Sequence, residues 1–292
     1  MTRLLLRLFV RNADQTDKIH AAIEKLASGE TSYKVDVNDF SSLEAELAEG
    51  LNRISDGLET ALAEQVKSER LKADLITNVS HDIKTPLTSI INYVDLIKRQ
   101  HIEDPTVQKY LEVLDQKSQR LKTLTEDLVE ASRASSGNIK LEITNIDFVE
   151  LVQQTTGEFE EKYAIRHLEI VNTLPNEVIM IEADGRRLWR VLENLYNNAF
   201  KYALEGTRVY VTIEDHGADV VFTIKNVSAN PLNISPDELT ERFVRGDVSR
   251  TTEGSGLGLS IAKDLTTLQG GKFELIIDGD LFKAQITFPI KN

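Results

Sequence analysis

The feature that most constrains this fold is a long run of apolar residues spaced three and four positions apart. It covers residues 47–66, and Pro86 is the only proline between residues 41 and 99. This spacing places the apolar side chains on one face of a helix, and it predicts a helix from about residue 41 to Arg99. The face begins with Leu47, Leu51, Ile54, Leu58, Leu62 and Val66. The repeated steps of four from Ile54 onward are typical of a stutter in a coiled coil.

A shorter amphipathic helix is predicted over residues 17–27, ahead of the long helix. The stretch SGETSYKVDVNDF follows it, and Gly29 is placed to end the short helix. A helix, a connector and a long coiled helix in this order indicate two chains that associate in parallel.

The apolar face of the long helix continues to residue 97, and a second face follows the predicted turn HIEDPT. The first consists of Leu75, Val79, Ile83, Leu87, Ile90, Val94 and Ile97, and the second of Val107, Tyr110, Leu114, Leu121, Leu124, Leu128 and Ala131. Two helices joined by a short turn form a hairpin. One hairpin cannot bury both faces well, so we expect two chains to pair into a four-helix bundle.

The sequence changes character after ASSGN at 134–138, where predicted strands begin to alternate with helices. Helices are predicted at 148–163, 185–202 and 257–268, and strands at 168–172, 178–183, 208–214, 219–226, 272–277 and 281–288. An Asp278-Gly279 hairpin turn is predicted between the last two strands. The fold class is therefore multidomain, with an all-α dimeric helical bundle followed by an α/β layer of about 150 residues.

Composition narrows the classes of partner. The net charge is −13, from 34 basic and 47 acidic residues. This charge argues against nucleic acid as a partner, because nucleic-acid-binding surfaces are basic. The chain contains no cysteine, which excludes disulfides, thiolate metal ligands and a cysteine nucleophile.

The start of the chain, TRLLLRLFVRN, is apolar but carries three arginines. It is too short and too charged to cross a bilayer, which requires about 20 apolar residues. In one interpretation a membrane segment precedes Met1, and the chain begins at the cytoplasmic face of a membrane. In the other interpretation these residues are only the first turns of an amphipathic helix.

A histidine lies within the long predicted helix, in the stretch NVSHDIKTPLTSI at 78–90. His81 is turned by about 200° from the apolar residues two positions before and after it, so it faces solvent. Asp82 follows it, and a carboxylate beside one ring nitrogen makes the other a better nucleophile. Thr85 lies one turn later, and Pro86 removes a helical hydrogen bond just beyond the histidine. A plain charged helix surface is the alternative interpretation.

A second group of polar residues lies on the predicted helix RVLENLYNNAFKY at 190–202. Asn194, Asn198 and Lys201 fall along one edge of this helix. Amide oxygens can bind a hard cation such as Mg²⁺, and an ammonium group can bind phosphate oxygens. The alternative is an ordinary polar edge of an amphipathic helix.

A third motif, EGSGLGLSIAKDL at 253–265, has alternating glycines ahead of a predicted helix. Gly254, Gly256 and Gly258 would expose backbone N–H groups at a helix N-terminus, which suits a phosphate group. It is neither the dinucleotide-binding fingerprint nor a Walker loop, because the ribose-binding acid and the Gly-Lys-Ser/Thr sequence are missing. A plain glycine-rich turn is the alternative.

Together these motifs resemble those of bacterial two-component sensor histidine kinases. SHDIKTPLTSI is similar to the phosphoacceptor box, NLYNNAFKY to the N box, ERFVRGD to the F box and GSGLGL to the second glycine box. The resemblance implies four segments. They are a membrane-proximal stub at 1–14, a HAMP-like relay and coiled-coil linker at 15–69, a dimerisation and histidine-phosphotransfer domain at 70–136, and a Bergerat-type α/β sandwich that binds ATP at 137–292.

The resemblance also implies roles for individual residues. His81 would accept the γ-phosphoryl group of ATP, Asp82 would act as its general base, and Thr85 would position water when the protein dephosphorylates its response regulator. Asn198 would hold Mg²⁺. The nucleotide would be contacted by Asn194, Lys201, Tyr202, Asn226, Phe243, Arg245, Gly254, Gly256 and Gly258, with Phe243 and Arg245 in a mobile lid. The implied partners are a second copy of the chain and the receiver domain of a response regulator.

One motif departs from the pattern of the family. Where the first glycine box has an aspartate followed by two glycines, this chain has Asn226 within KNVSANPLN. An asparagine oxygen can still accept a hydrogen bond from the adenine amino group, but without the charge. This departure leaves open a degenerate, non-catalytic signalling scaffold on the same fold.

A related ATPase or serine kinase on the same nucleotide fold is the other alternative. DNA gyrase and the mismatch-repair ATPases have an acidic residue at the position of Asn194, where it activates water. Asn194 cannot act as that base, so the resemblance implies slow ATP hydrolysis and favours transfer to His81.

Overall fold

The computed structural model describes residues 16–40, 42–100, 102, 104–137, 139–244 and 255–291. Contacts divide the chain into two units, Met1–Lys72 and Ala73–Asn292. None of the helices in the described ranges combines the length and the hydrophobicity that a membrane span requires.

The first unit contains helix α1, described from 16 to 27, a 3-10 turn at Val37–Asp39, and the beginning of helix α2 (Ser42–Lys98). Gly29 ends α1 as predicted. Its φ is +99°, and the next N–H, that of Glu30, donates to the carbonyl of Lys25 at 3.0 Å. This hydrogen bond satisfies a carbonyl that the last helical turn leaves without a partner.

The connector after α1 packs on α2 through a small apolar core. Its buried members are Ala22, Val35, Phe40 and Ala48. Asn52 of α2 holds the connector in register, because its side chain accepts from the N–H of Val35 and donates to the carbonyl of Val35, both at 2.9 Å. The predicted order of short helix, connector and long helix is confirmed within the described residues.

The second unit begins with a helical hairpin formed by the rest of α2 and helix α3 (Pro105–Ser135). Pro86 lies inside α2, which remains helical through it. Asp104 caps α3 by accepting from the N–H groups of Thr106 and Val107 at 2.8 and 3.4 Å, and Pro105 occupies the first turn, where no N–H is required.

The hairpin buries only part of its two predicted apolar faces. Residues seven positions apart are buried between α2 and α3, namely Ala73, Ser80, Leu87 and Val94 on α2 and Leu111, Ser118, Thr125 and Ser132 on α3. Most of the other large apolar residues of the two faces remain exposed in the single chain, although Val107, Leu124 and Leu128 are half-buried. The exposed residues include Leu75 (64% exposed), Val79, Ile83, Ile90, Ile97, Tyr110, Leu114 and Leu121.

An α/β domain follows, and its main sheet has the strand order β2-β4-β5-β7-β6. The strands are β2 (Glu169–Thr173), β4 (Arg208–Asp215), β5 (Asp219–Val227), β6 (Lys272–Asp278) and β7 (Leu281–Pro289). β2 runs parallel to β4, and the other neighbours are antiparallel. A small second sheet pairs β1 (Thr144–Asp147) with β3 (Met180–Ala183). The predicted fold class, a helical hairpin followed by an α/β domain, is confirmed.

Three helices pack against the sheet: α4 (Phe148–Ile165), α5 (Gly185–Tyr202) and α7 (Gly258–Leu268). The core between these layers includes Phe148, Tyr163, Leu188, Leu192, Leu195, Tyr196, Phe222, Ile224, Ile261 and Phe288. Because α5 buries its apolar face in this core, its polar edge is held at a fixed place beside the sheet.

The structure differs from the prediction at short elements. Strand β1 and the four-residue helix α6 (Pro236–Leu239) were not predicted. The last hairpin turn lies one residue later than predicted, because Asp278 pairs with Leu281 and the loop is therefore Gly279-Asp280. Gly279 has a φ of +57°, which is the left-handed conformation that such a two-residue loop requires.

Candidate functional site

A cleft in the α/β domain brings together most of the residues predicted to contact a nucleotide. It is bordered by α5, the end of β5, the start of α7, the loop after β5 and, on the side of the hairpin, Thr123 and Asp127 of α3. The predicted residues in its wall are Asn194, Asn198, Lys201, Tyr202, Asn226, Gly256 and Gly258. In the sequence they belong to three separate motifs, and the fold gathers all three motifs around one space.

Asn226 points an unsatisfied oxygen into a buried part of this cleft. Only 2% of the residue is exposed. Its Nδ2 donates to the carbonyl of Val227 at 3.1 Å, and that acceptor fixes the orientation of the amide. Oδ1 is buried without a hydrogen-bond partner among the described residues. A buried acceptor without a partner is costly, and a ligand N–H group would satisfy it.

Asn194, on α5, places a hydrogen-bond donor in the wall of the cleft, where Asn226 places an acceptor. Its Nδ2 is also buried without a partner in the described part of the chain. Its Oδ1 lies 3.4 Å from the position that a Cβ atom on Gly258 would occupy, so α7 approaches α5 very closely here. Asn198 and Lys201 follow on the same edge of α5, at the spacing of one and two helical turns.

The start of α7 presents backbone N–H groups at the cleft. Leu257 precedes the helix and provides no side-chain cap. Gly256 has a φ of +69°, and a Cβ atom there would lie 3.0 Å from the Val244 carbonyl oxygen and from a backbone carbon of Phe243. The glycine therefore permits both the turn and the close approach, and the uncapped N-terminus of α7 suits an anion.

The predicted lid residues are only partly described. Arg245 of the lid lies outside the described residues, as does Gly254, one of the glycines predicted to bind phosphate. Phe243 has a φ of +64°, and its N–H donates to the carbonyl of Gly256 at 3.1 Å. The residue is 62% exposed and is not part of the cleft wall.

Apolar residues near Asn226 form a part of the wall that sequence reasoning missed. Leu232, Leu239, Leu259 and Phe282 line the cleft there. They come from three different elements and the loop after β5, so no local motif could reveal them. Together with Asn226 they form a surface suited to a flat heteroaromatic ring, which has apolar faces and polar edges.

The cleft fits a nucleotide with a bound cation. It offers the amides of Asn194 and Asn226, glycines at which backbone segments approach closely, and an apolar wall. Asn198 and the phosphates would hold Mg²⁺, for which oxygen ligands are required.

His81 lies on α2, as predicted, with 82% of its side chain exposed. Its Nδ1 is 3.8 Å from Asp82 Oδ1, and this separation exceeds a hydrogen bond. Thr85, one turn later, directs Oγ1 to the carbonyl of His81 at 3.5 Å. The groove beside His81 is lined by residues of α2, α3 and α5, including Ser80, Thr125 and Arg187, and it shares no residue with the nucleotide cleft. The single chain thus keeps His81 outside the cleft.

An ion cluster, which sequence reasoning also missed, joins the hairpin to the α/β domain. Arg190 donates to Glu130 at 2.8 Å, to Glu193 at 2.5 Å and, over a shorter separation, to Asp127. Arg187 donates to Glu130 at 3.0 Å. Burial opposes the charge of Arg190, but the hydrogen bonds to Glu193 and Glu130 outweigh burial and raise its pKa. The only signal in the sequence is a spacing of three positions, between Asp127 and Glu130 and between Arg187 and Arg190. Charged helix surfaces commonly show this spacing.

Comparison with known proteins relates both parts of the second unit to kinase domains. The family model "His Kinase A (phospho-acceptor) domain" matches residues 71–137. The model "Histidine kinase-, DNA gyrase B-, and HSP90-like ATPase" matches residues 183–291.

Two curated relatives extend this similarity over most of the chain. The sensor protein VanS of Enterococcus faecium is 30% identical over 284 residues, which cover 93% of this chain and 69% of VanS. The sensor histidine kinase WalK of Bacillus subtilis is 28% identical over 237 residues, which cover 79% of this chain and 39% of WalK. The chain therefore spans well under half the length of WalK.

A solved structure shows the same fold. The structure of full-length ShkA in complex with AMPPNP aligns with a TM-score of 0.64 and 23% identity, over 75% of this chain and 46% of ShkA. Because the two kinase family models match in order and VanS aligns over most of both chains, this chain belongs to the bacterial two-component sensor histidine kinases.

Proposed function

We propose that this chain is the kinase core of a sensor that transfers the γ-phosphoryl group of Mg-ATP to His81 and then to an aspartate of a response regulator. One observation carries the nucleotide part of this proposal. The buried amide atoms Asn194 Nδ2 and Asn226 Oδ1 lie in the wall of one cleft, without partners among the described residues. Those atoms gain hydrogen bonds when a nucleotide enters.

The base of the nucleotide occupies the apolar end of the cleft. Asn226 Oδ1 accepts a hydrogen bond from the adenine amino group, and Leu232 and Phe282 pack near the ring. This arrangement distinguishes adenine from guanine, because guanine presents a carbonyl oxygen at the same position and that oxygen would face an acceptor. Tyr202 packs beside the nucleotide at the end of α5.

The phosphates lie near the other polar groups of the cleft. The uncapped N–H groups at the start of α7 and the ammonium of Lys201 bind phosphate oxygens. Asn198 holds Mg²⁺, which when bound neutralises charge on the phosphates. Phosphoryl transfer depends mainly on positioning and charge neutralisation, so these groups suffice without a covalent intermediate in the cleft.

His81 is the nucleophile. One ring nitrogen attacks the γ-phosphorus, the bond from that phosphorus to the bridging oxygen of ADP breaks, and ADP leaves. Asp82, near Nδ1, takes up the proton of the other ring nitrogen after a small side-chain rotation from its separation of 3.8 Å. The exposure of His81 suits a residue that must meet both a nucleotide-loaded domain and a second protein.

The phosphoryl group then moves from His81 to an aspartate of the receiver domain of a response regulator. The protein also dephosphorylates the receiver domain, and in that reaction Thr85 positions the water that hydrolyses the phosphorylated aspartate. Its hydroxyl lies one turn from His81, on the face that the receiver domain would cover.

Two chains form the working unit. The exposed apolar residues of α2 and α3, such as Val79, Ile83 and Leu121, pair with the same residues of a second chain. Residues 15–69 act as a HAMP-like relay, and the protein works at the cytoplasmic face of a membrane.

A labelling experiment tests the proposal. Wild type and His81→Ala are incubated with Mg²⁺ and ATP labelled at the γ-phosphate, and the label on the protein is challenged with acid and with base. We expect label that is lost in acid, stable in base and absent from the variant. Well-folded wild type that acquires no label would instead favour a non-catalytic dimeric scaffold.

A further inference from the structure

Asn197 lines the nucleotide cleft, although none of the motifs assigns it a role. It lies on α5 between Asn194 and Lys201, and each turn of the helix advances about 3.6 residues. Its side chain therefore projects on the same side of α5 as Asn194 and as Lys201, whose ammonium is proposed to bind the phosphates.

Lys162 of α4 fixes the orientation of this amide. Its ammonium donates to Asn197 Oδ1 at 2.6 Å. Because an ammonium group has only donors, the oxygen of the amide must face Lys162, and Nδ2 must point away from it. No hydrogen bond occupies Nδ2 within the part of the chain that the structure describes, which leaves a donor at the cleft.

Lys162 is itself held in place. Its ammonium lies 5.0 Å from the ring centre of Phe159 and 4.9 Å from that of Phe200, within range of cation–π attraction. Burial lowers the pKa of Lys162, and the charge of Lys201 lowers it further, so the two cations lie close enough to repel each other. The carboxylate of Glu193 offsets part of that repulsion, and an anion bound in this part of the cleft would offset more of it.

We propose that Asn197 donates from Nδ2 to a phosphate oxygen of the bound nucleotide, and that Lys162 is the positioning residue that orients this donor. The inference rests on the proposed nucleotide-binding function and adds one phosphate contact to it. Asn197 would therefore affect the binding of nucleotides that carry a polyphosphate and not the binding of the nucleoside alone.

Calorimetry with Mg-ADP and with adenosine separates this role from a structural one. The variants are Asn197→Ala, Lys162→Met and the double variant, and Lys162→Met keeps the apolar stem of the lysine. We expect each to weaken ADP binding by about tenfold, since a hydrogen bond to a charged group is at stake. Adenosine binding should not change, and the double variant should be no weaker than Asn197→Ala.

Two further variants control for charge and for the hydrogen bond. Lys272→Met removes one positive charge from an exposed strand position outside the cleft, and it should leave ADP affinity unchanged. Lys162→Arg retains a donor for Asn197 Oδ1 and should retain most of the affinity.

Three results would overturn the proposal, and they differ in whether the proposed nucleotide-binding function fails with it. If Asn197→Ala binds ADP as tightly as wild type, the phosphate contact is wrong while the proposed function stands. If adenosine and ADP binding fall equally, Lys162 and Asn197 only support the fold. If wild type binds no ADP, the proposed function fails together with this inference.

Discussion

Arg190 Nε donates a hydrogen bond to Glu130 Oε2 at 2.8 Å, and this bond joins the α/β domain to helix α3 of the hairpin. Asp127, on the same side of α3, also binds Arg190 and accepts from the hydroxyl of Ser255 at 3.1 Å. Asp127, Arg190 and Ser255 all line the nucleotide cleft. The contact between the two domains and the wall of the cleft therefore share residues.

Arg190→Gln is expected to loosen the α/β domain from the hairpin. Without the positive charge of Arg190, the carboxylates of Asp127 and Glu130 are part-buried and incompletely neutralised. This disfavours the contact between the α/β domain and the hairpin. Hydrogen exchange should become faster near the end of α3 and the start of the α/β domain, at 131–141. Arg186→Gln is the matched control, because Arg186 is exposed and lies on the same helix. Equal exchange in both variants would mean that the ion cluster does not hold the domains together.

The ends of α5 could be predicted from the sequence because the signals are local. Its apolar residues repeat at helical spacing, and Asp184 directly before it caps it by accepting from the N–H of Arg187 at 3.1 Å. Strand β1 could not be predicted, because its four residues depend on pairing with β3, about 35 positions later.

The same distinction applies to the cleft. Asn194, Asn226 and the glycines belong to sequence motifs, so their positions could be proposed before the fold was known. The contact of Lys162 with Asn197 depends on the packing of α4 against α5, and no local pattern encodes it. The roles of the individual site residues and the HAMP-like assignment of residues 15–69 stay predictions.

Asp184→Asn is expected to destabilise the α/β domain by about 1–3 kcal/mol. Asp184 Oδ1 caps α5, and Oδ2 accepts from the N–H of Glu142 at 3.0 Å. An asparagine would direct an NH₂ group at one of these two donors. Thermal unfolding of wild type and variant at pH 7 measures the difference, and equal melting temperatures would contradict the prediction.

The effect of Asp184→Asn should depend on pH. Burial alone would raise the pKa of Asp184, but the backbone N–H groups of Glu142 and Arg187 outweigh burial and lower it. A carboxyl group whose pKa is lower in the folded state stabilises the fold above its unfolded pKa of about 3.9, and it loses that contribution as the pH falls. The gap in stability between wild type and variant should therefore narrow below about pH 4.

Asn194→Glu is expected to convert part of the proposed kinase activity into ATP hydrolysis. A carboxylate in this position of the cleft can act as a general base toward water, which the amide cannot, and base catalysis is worth on the order of 100-fold or more. Release of inorganic phosphate should rise while the label on His81 falls. Asn194→Gln is the matched control, because it has the same length and no basic group. An equal rate of phosphate release in the two variants would show that a base at this position is not sufficient.

Asn226→Asp is expected to strengthen nucleotide binding and to lower the stability of the nucleotide-free protein. A carboxylate accepts a stronger hydrogen bond from the adenine amino group than an amide oxygen does, which should tighten ADP binding by about tenfold. Without nucleotide, the same carboxylate is buried beside the carbonyl of Val227, to which Asn226 Nδ2 now donates at 3.1 Å. Two acceptors then face each other, so the melting temperature of the free variant should fall below that of wild type.

Calorimetry and thermal unfolding of Asn226→Asp, with and without Mg-ADP, measure both effects on one protein. Asn226→Ala is the control, because it removes the acceptor and should bind ADP more weakly than either wild type or Asn226→Asp. ADP affinity should rise while the melting temperature of the free variant falls, because the two effects act on different states. The carboxylate of Asn226→Asp gains a hydrogen bond only when adenine is bound. The loss of the Nδ2 donor matters most in the protein without nucleotide. If Asn226→Asp and Asn226→Ala bind ADP equally weakly, position 226 does not accept from the base, and adenine must be recognised elsewhere in the cleft.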